Sequence, residues 1–261
     1  MRFKCRLFLF LTVVIFSGIC GANELPPCYE EVSLNGNKDV LGHGNQLLIV
    51  VDRTVDFIGS DKEASHFKNK IIDFVDQARQ PGDQVTLVFF GGLSGGDYPS
   101  PNFNERLAPD VPESIKKNVG RQDLKQLDTC ISQQHKQFND KFVKAVDEAF
   151  ENIGNFSQTP LFEGLRYASK LLNPQAKKKS VLVFSDLMLH NNDITFYRSG
   201  RLRSLEKSSI LKNPFVKEQV EQIDWLGSDL YLLGIGNGVT GSGDTGKLWL
   251  LMDTWETLLT A

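Results

Sequence analysis

The chain has 261 residues, a length that suits one large domain or two small ones. Hydrophobic residues make up 41% of it and charged residues 23%, which excludes disordered, collagen-like and coiled-coil chains. Its 29 basic and 32 acidic residues give a formal net charge of -3, without the basic excess typical of nonspecific nucleic-acid binding. We therefore expect an ordinary globular protein with no nucleic-acid partner.

The first 22 residues have the three parts of a secretory signal peptide. Residues 2–6 include three basic side chains, residues 7–16 form an uncharged apolar run, and residues 20–22 offer a small-residue cleavage site. The apolar run is about half the roughly 20 residues that a membrane-spanning helix needs. We therefore expect cleavage after residue 22, export to the periplasm or the medium, and no membrane span after cleavage.

Cleavage would change both the charge and the cysteine content. Removing residues 1–22 takes away three basic and no acidic residues, which leaves 26 basic and 32 acidic residues and a formal charge of -6. It also removes Cys5 and Cys20, so that Cys28 and Cys130 remain. Because exported proteins fold in an oxidising compartment, we expect a disulfide between these two, with two buried unpaired thiols as the alternative.

The mature chain begins with an irregular segment and continues into alternating strands and helices. Residues 23–45 are polar and rich in Gly, Pro and Asn, whereas residues 46–51 form a continuous apolar run that ends at Asp52. Such a run predicts a strand that is buried on both faces. Apolar residues at helical spacing over 61–80 then predict a helix, and residues 84–90 predict the next strand.

The middle of the chain is less regular. Residues 91–125 carry Gly, Pro and Asn clusters with little periodicity, which predicts a long loop or an inserted excursion. Apolar residues from Phe138 to Ile153 predict a second helix, and Thr159-Pro160 predicts the start of a third. We therefore expect an enlarged connection at about residues 92–155.

The last third returns to alternating elements. Residues 180–185 predict a buried strand that is followed by Asp186, and residues 216–225, 229–235 and 247–260 predict a helix, a strand and a terminal helix. Strands that alternate with helices predict an α/β fold, with a doubly wound, mostly parallel sheet and helices on both faces. We expect one such domain over residues 46–261.

Oxygen-bearing side chains follow two of the predicted strands. Asp52, Thr54 and Asp56 stand at alternate positions after the first strand, Thr159 stands at a helix start, and Asp186 follows a later strand. Ligands of open α/β sheets collect at the carboxyl ends of the strands. Carboxylates and hydroxyls are hard ligands, which predicts a site for Mg²⁺, with Ca²⁺ or Mn²⁺ as alternatives. The simpler alternative is that the aspartates only cap turns.

These residues resemble the von Willebrand factor A domain and its metal-ion-dependent adhesion site. That family carries Asp-x-Ser/Thr-x-Ser after the first strand, a Thr at a later helix start, and an Asp after the next central strand. The matching elements here are Asp52-x-Thr54-x-Asp56, Thr159 and Asp186, and the resemblance covers residues from about 46 to the C-terminus. It implies a Rossmann-like fold, a bound divalent cation, and a protein partner that completes the coordination of the cation.

Two residues depart from the family's pattern. Asp56 stands where the family usually has a serine, and Leu187 stands where a glycine is common. The added carboxylate should strengthen metal binding and weaken the attraction of the metal for an acidic partner.

The sequence therefore favours an exported, non-catalytic binding protein that holds a divalent cation. It would mediate protein–protein interaction or assembly in the cell envelope, with an unidentified protein partner. Two alternatives stay open. The same carboxylates could hold a metal-bound water in a phosphoesterase-like hydrolase, or the domain could be a metal-free structural component of an envelope complex.

Overall fold

The structure is a computed structural model, and it describes residues 28–29, 44–54, 58, 60–91, 100–151, 161–189, 193–198, 201–203, 206–237 and 244–260. The predicted signal peptide and most of the predicted irregular segment lie outside these residues. Within the described ranges, no helix is both long enough and apolar enough to cross a membrane.

The strands that the structure describes form a large sheet and a small hairpin. They are β1 (Gln46–Asp52), β2 (Gln84–Phe90), β3 (Phe103–Arg106), β4 (Lys179–Phe184), β5 (Tyr197–Arg198), β6 (Arg201–Leu202) and β7 (Asp229–Leu233). The large sheet has the order β3-β2-β1-β4-β7, and the hairpin joins β5 to β6. Neighbouring strands of the large sheet are parallel, except that β3 runs antiparallel to β2.

The described helices lie between these strands along the chain, except the last helix, which follows β7. They are α1 (Asp61–Ala78), α2 (Glu113–Lys116), α3 (Arg121–Glu151), α4 (Leu161–Lys170), α5 (Lys207–Lys212), α6 (Pro214–Val220) and α7 (Thr245–Thr260). Ser60 is the N-cap of α1, and its side chain accepts a hydrogen bond from the backbone N–H of Glu63. Pro214 stands in the first turn of α6, where its missing N–H has no cost.

Both faces of the sheet are covered, as the predicted fold class requires. Successive residues of β1 point to opposite faces, so Ile49 packs with α1 and α3 while Val50 packs with α4 and α7. All seven residues of β1 are buried. The predicted α/β fold with a doubly wound, mostly parallel sheet is therefore confirmed.

The predicted loop at residues 91–125 is wrong in part. It contains β3, α2 and the first turn of α3, which begins at Arg121. Strand β3 alternates, since Phe103 and Glu105 are buried while Asn104 and Arg106 are exposed. Four alternating residues with two charges give only a weak strand signal, and pairing with β2 makes this segment a strand. Helix α5 was also not predicted, because its six residues are mostly polar.

The order of the strands creates a switch point between β1 and β4. The chain moves from β1 to β2 on one side, whereas it moves from β4 to β7 on the other side. In open α/β sheets, such a reversal leaves a crevice at the carboxyl ends of the two central strands. Asp52 ends β1, and Ser185 and Asp186 directly follow β4.

A disulfide joins Cys28 to Cys130, with 5.6 Å between their Cα atoms. Cys130 lies on α3, and Cys28 and Tyr29 pack in a small apolar cluster with Ala108 and Leu127. The Tyr29 hydroxyl also donates a hydrogen bond to the carbonyl of Pro109. These contacts attach the short described piece of the N-terminal segment to the region around α3.

Candidate metal site at the carboxyl ends of β1 and β4

The ends of β1 and β4 are joined by a buried side-chain hydrogen bond. The Ser185 hydroxyl donates to Asp52 Oδ2 at 2.9 Å, and both residues are fully buried. The second oxygen, Oδ1, accepts from the backbone N–H of Thr54 at 2.9 Å. One oxygen is bonded to each partner, so the two bonds orient the carboxylate of Asp52. Asp52 is therefore held in one orientation at the switch point.

The segment after β1 is fastened to the end of β2. The backbone N–H of Arg53 donates to the carbonyl of Phe90 at 3.0 Å, and its Nε donates to the carbonyl of Gly91 at 3.1 Å. Thr54 is buried, and its carbonyl accepts from the N–H of Ile58 at 3.1 Å. Thr54 therefore lies at the same edge of the sheet as Asp52, two residues further along the chain.

Asp186 lies in a tight buried turn that follows β4. Its Oδ1 accepts from the backbone N–H of Met188 at 2.8 Å, and its carbonyl accepts from the N–H of Gly236 at 2.8 Å. The N–H of Ser185 donates to the carbonyl of Leu233 at the end of β7. Only 3% of Asp186 is exposed, so this residue is buried in the protein and does not project into solvent.

Leu187 adopts a conformation that L-amino acids seldom use, with φ at 55°. It is also almost completely buried, and its N–H donates to the Ser185 hydroxyl at 3.0 Å. Its carbonyl accepts from the indole Nε1–H of Trp255 at 2.9 Å. Glycine adopts a positive φ without steric cost, whereas in Leu187 the two hydrogen bonds stabilise it.

The structure places three of the five predicted ligands. Asp52, Thr54 and Asp186 are buried at the carboxyl ends of the adjacent strands β1 and β4. Asp56 and Thr159 lie outside the described residues. Among the residues that the structure does describe, no group of three or more His, Cys, Asp or Glu side chains could hold a metal.

The donor set at this edge fits a hard divalent cation. Two buried carboxylates and one hydroxyl are oxygen ligands, and the carboxylates are oriented by hydrogen bonds, which is common around metal ligands. Asp52, Thr54 and Asp186 would hold the cation, and Asp56 and Thr159 stay predictions from the sequence. When bound, the cation would neutralise the buried carboxylates and attract an oxygen ligand of a partner.

Helix α4 approaches the sheet closely beside this edge. A Cβ atom on Gly164 would lie 2.6 Å from Cγ of Phe90, which is shorter than real contacts allow. Glycine at this position therefore lets α4 pack directly on the last residue of β2.

Two residues of this region were not predicted from the sequence. Ser185 stands at the end of a predicted strand, directly before Asp186, and Trp255 stands in the predicted terminal helix, but neither was given a role at the site. The Ser-Asp pair after a buried strand could have indicated the role of Ser185 through the family pattern. No local signal could have indicated Trp255, because its contact with Leu187 spans 68 positions.

A scan against protein-family models and a search of curated proteins found no match for this chain.

Proposed function

We propose that this chain is an exported, non-catalytic binding protein with a von Willebrand factor A-like domain. It would hold one divalent cation, with Mg²⁺ as the first choice, through Asp52, Thr54, Asp56, Thr159 and Asp186. A protein partner in the cell envelope would bind at this edge of the sheet. The proposal combines the resemblance in the sequence with the arrangement of the described residues.

One observation carries the proposal. Asp52 and Asp186 are both buried, and they lie at the carboxyl ends of adjacent strands at the switch point of the sheet. Burying carboxylates away from water is unfavourable unless they are paired, hydrogen-bonded or bound to a cation. Both carboxylates also cap turns of the chain, and their position at the edge where α/β sheets collect ligands is what supports a cation site.

The hydrogen bonds of the two carboxylates argue for a role as metal ligands and against a role as general acid or base. Both carboxylates accept hydrogen bonds from the chain itself, namely from Ser185 and Thr54 at Asp52 and from Met188 at Asp186. These contacts fix the orientation of each carboxylate, whereas a general acid or base must exchange a proton during the reaction. The residues would therefore hold a cation in place and present it to a partner.

Isothermal titration calorimetry with Mg²⁺, Ca²⁺ and Mn²⁺ tests the metal site. The mature protein should bind a divalent cation, and Asp52→Ala and Asp186→Asn should each weaken binding at least about tenfold. Asp229→Asn is the matched control, because Asp229 starts β7 at the opposite end of the sheet and pairs with Lys178. It should bind the cation as the unaltered protein does.

The outcomes separate this function from its alternatives. No metal binding by the unaltered protein would contradict the proposal and favour a metal-free structural component. Turnover of phosphoesters that chelation and Asp186→Asn both abolish would favour the hydrolase. Metal-dependent retention of an envelope protein, lost in Asp52→Ala and kept in Asp229→Asn, would support the binding module.

A further inference from the structure

A continuous chain of buried hydrogen bonds links the C-terminal helix to Asp52. The Trp255 indole donates to the carbonyl of Leu187, and the N–H of Leu187 donates to the Ser185 hydroxyl. That hydroxyl donates to Asp52 Oδ2. At most 1% of any of these four residues is exposed. The orientation of one side chain therefore depends on that of the next, without water in between.

The position of Trp255 is itself well determined. Its ring packs against Phe162 of α4 and Phe196, with centroid distances of 5.8 and 6.0 Å. These two aromatic residues belong to the same buried core as Leu187. This packing restricts the movement of the Trp255 ring, so its indole N–H donates to the Leu187 carbonyl from a fixed position.

Leu187 needs such a fixed point. Its φ of 55° lies in the left-handed region, where a residue other than glycine is retained only if its surroundings hold it. The only bonds that the structure gives to its backbone N–H and carbonyl within the described part of the chain are those to Ser185 and Trp255. Leu187 also directly follows Asp186, so a change in its backbone would move that carboxylate.

We propose that Trp255 is a positioning residue for the cation site. Its hydrogen bond to Leu187 holds the turn that orients Asp186, and through Ser185 it holds Asp52. The effect of Trp255 on cation affinity rests on the proposed function. Its effect on the orientation of the carboxylates does not, because they are oriented whether or not a cation is bound. The two experiments therefore differ in whether they need the cation.

The first experiment uses metal-free protein and the NMR resonance of the Trp255 indole proton. The chain has three Trp, so Trp225→Phe and Trp249→Phe assign the remaining signal to Trp255. Ser185→Ala interrupts the chain between Leu187 and Asp52, and it should shift the Trp255 signal and speed its exchange with solvent. Ser169→Ala is the control, since this buried serine donates only within α4, to the carbonyl of Arg166.

The second experiment measures the affinity for Mg²⁺ by calorimetry. Trp255→Phe keeps an aromatic ring and removes the indole N–H, and it should weaken binding about tenfold. Thr254→Val is the matched control on the same helix, because its hydroxyl bonds only to the carbonyl of Leu250. It should leave the affinity unchanged. Circular dichroism checks that both variants are folded.

The results test the positioning role of Trp255 and the proposed metal function separately. An unchanged Trp255 signal in Ser185→Ala overturns the positioning role, and so does unchanged Mg²⁺ affinity in folded Trp255→Phe. A shifted signal in a protein that binds no cation supports the hydrogen-bonded link and contradicts the proposed metal function. A shifted Trp255 signal in Ser185→Ala supports both the positioning role and the metal function if Mg²⁺ binding is also weaker in Trp255→Phe and unchanged in Thr254→Val.

Discussion

The Ser185 hydroxyl donates a hydrogen bond to Asp52 Oδ2 across the ends of β1 and β4, over 2.9 Å and 133 positions of sequence. Both residues are fully buried. The same hydroxyl accepts from the N–H of Leu187, so a single oxygen connects two strands and a strained turn. Ser185 therefore connects the segments of the candidate site by hydrogen bonds, although it is not among the predicted metal ligands.

Replacing Ser185 by alanine should destabilise the protein. The substitution removes a hydrogen bond to a carboxylate and leaves the buried N–H of Leu187 without its acceptor. An unsatisfied buried donor costs about 1–3 kcal/mol, so we expect a loss of roughly 2–3 kcal/mol in the free energy of unfolding. Urea unfolding followed by circular dichroism measures it. Ser169→Ala should lose less than about 1 kcal/mol, and equal losses in the two variants would contradict the central role of Ser185.

Loss of the disulfide should also destabilise the protein. Cys28 and Cys130 are 102 positions apart, so the bond closes a long loop and restricts the unfolded chain. In the chain-entropy model, such a loop contributes ~4 kcal/mol. Urea unfolding with and without a reducing agent measures the difference, and the reduced protein should unfold at lower urea. The double variant with serine at both positions should match the reduced protein, and it should not respond to the reducing agent.

Tyr29 should make stability fall at high pH. Burial, with the nearby charges of Asp110 and Asp128, raises the pKa of Tyr29 from 10.0 to about 12. Between these values the unfolded chain loses the phenol proton and the folded chain keeps it. The contribution of the neutral phenol is therefore complete below about pH 10 and is lost as the pH rises to about 12.

Urea unfolding at a series of pH values in this window tests the shift. Tyr29→Phe keeps the ring and has no proton to lose, so its stability should fall less steeply with pH. Burial also raises the pKa of Tyr167, so a smaller slope should remain in the variant. Equal slopes in the variant and the unaltered protein would mean that Tyr29 titrates normally in the fold.

Gly164→Ala should destabilise the packing of α4 on the sheet. The new Cβ would lie 2.6 Å from Cγ of Phe90 and 2.8 Å from its Cβ, so the helix must shift. Overpacking of this kind costs roughly 1–3 kcal/mol, which thermal or urea unfolding can measure. Gly246→Ala is the control, because its nearest neighbour is Asp244 Oδ1 at 3.4 Å and it lies in the first turn of α7. It should be neutral or slightly stabilising. A Gly164→Ala protein as stable as this control would contradict the close packing.

Much of the fold could be predicted because its central strands carry a strong local signal. A strand such as β1 is covered on both faces, so its interior is a continuous apolar run, and the strand ends at Asp52. The edge strand β3 was not predicted, since Phe103–Arg106 is short and half exposed and pairs only with β2. Its identity as a strand comes from its neighbour and not from its own residues.

The sequence by itself determined the α/β class, the order of the main elements, and the aspartates at the ends of two buried strands. Those features depend on local hydrophobic patterns, which the core elements carry within their own short segments. The tertiary structure alone decided that β1 and β4 are neighbours, that Ser185 connects them, and that Trp255 holds Leu187 from the last helix. These contacts join residues 68 to 133 positions apart, and no local pattern records which distant segments will meet once the core is packed.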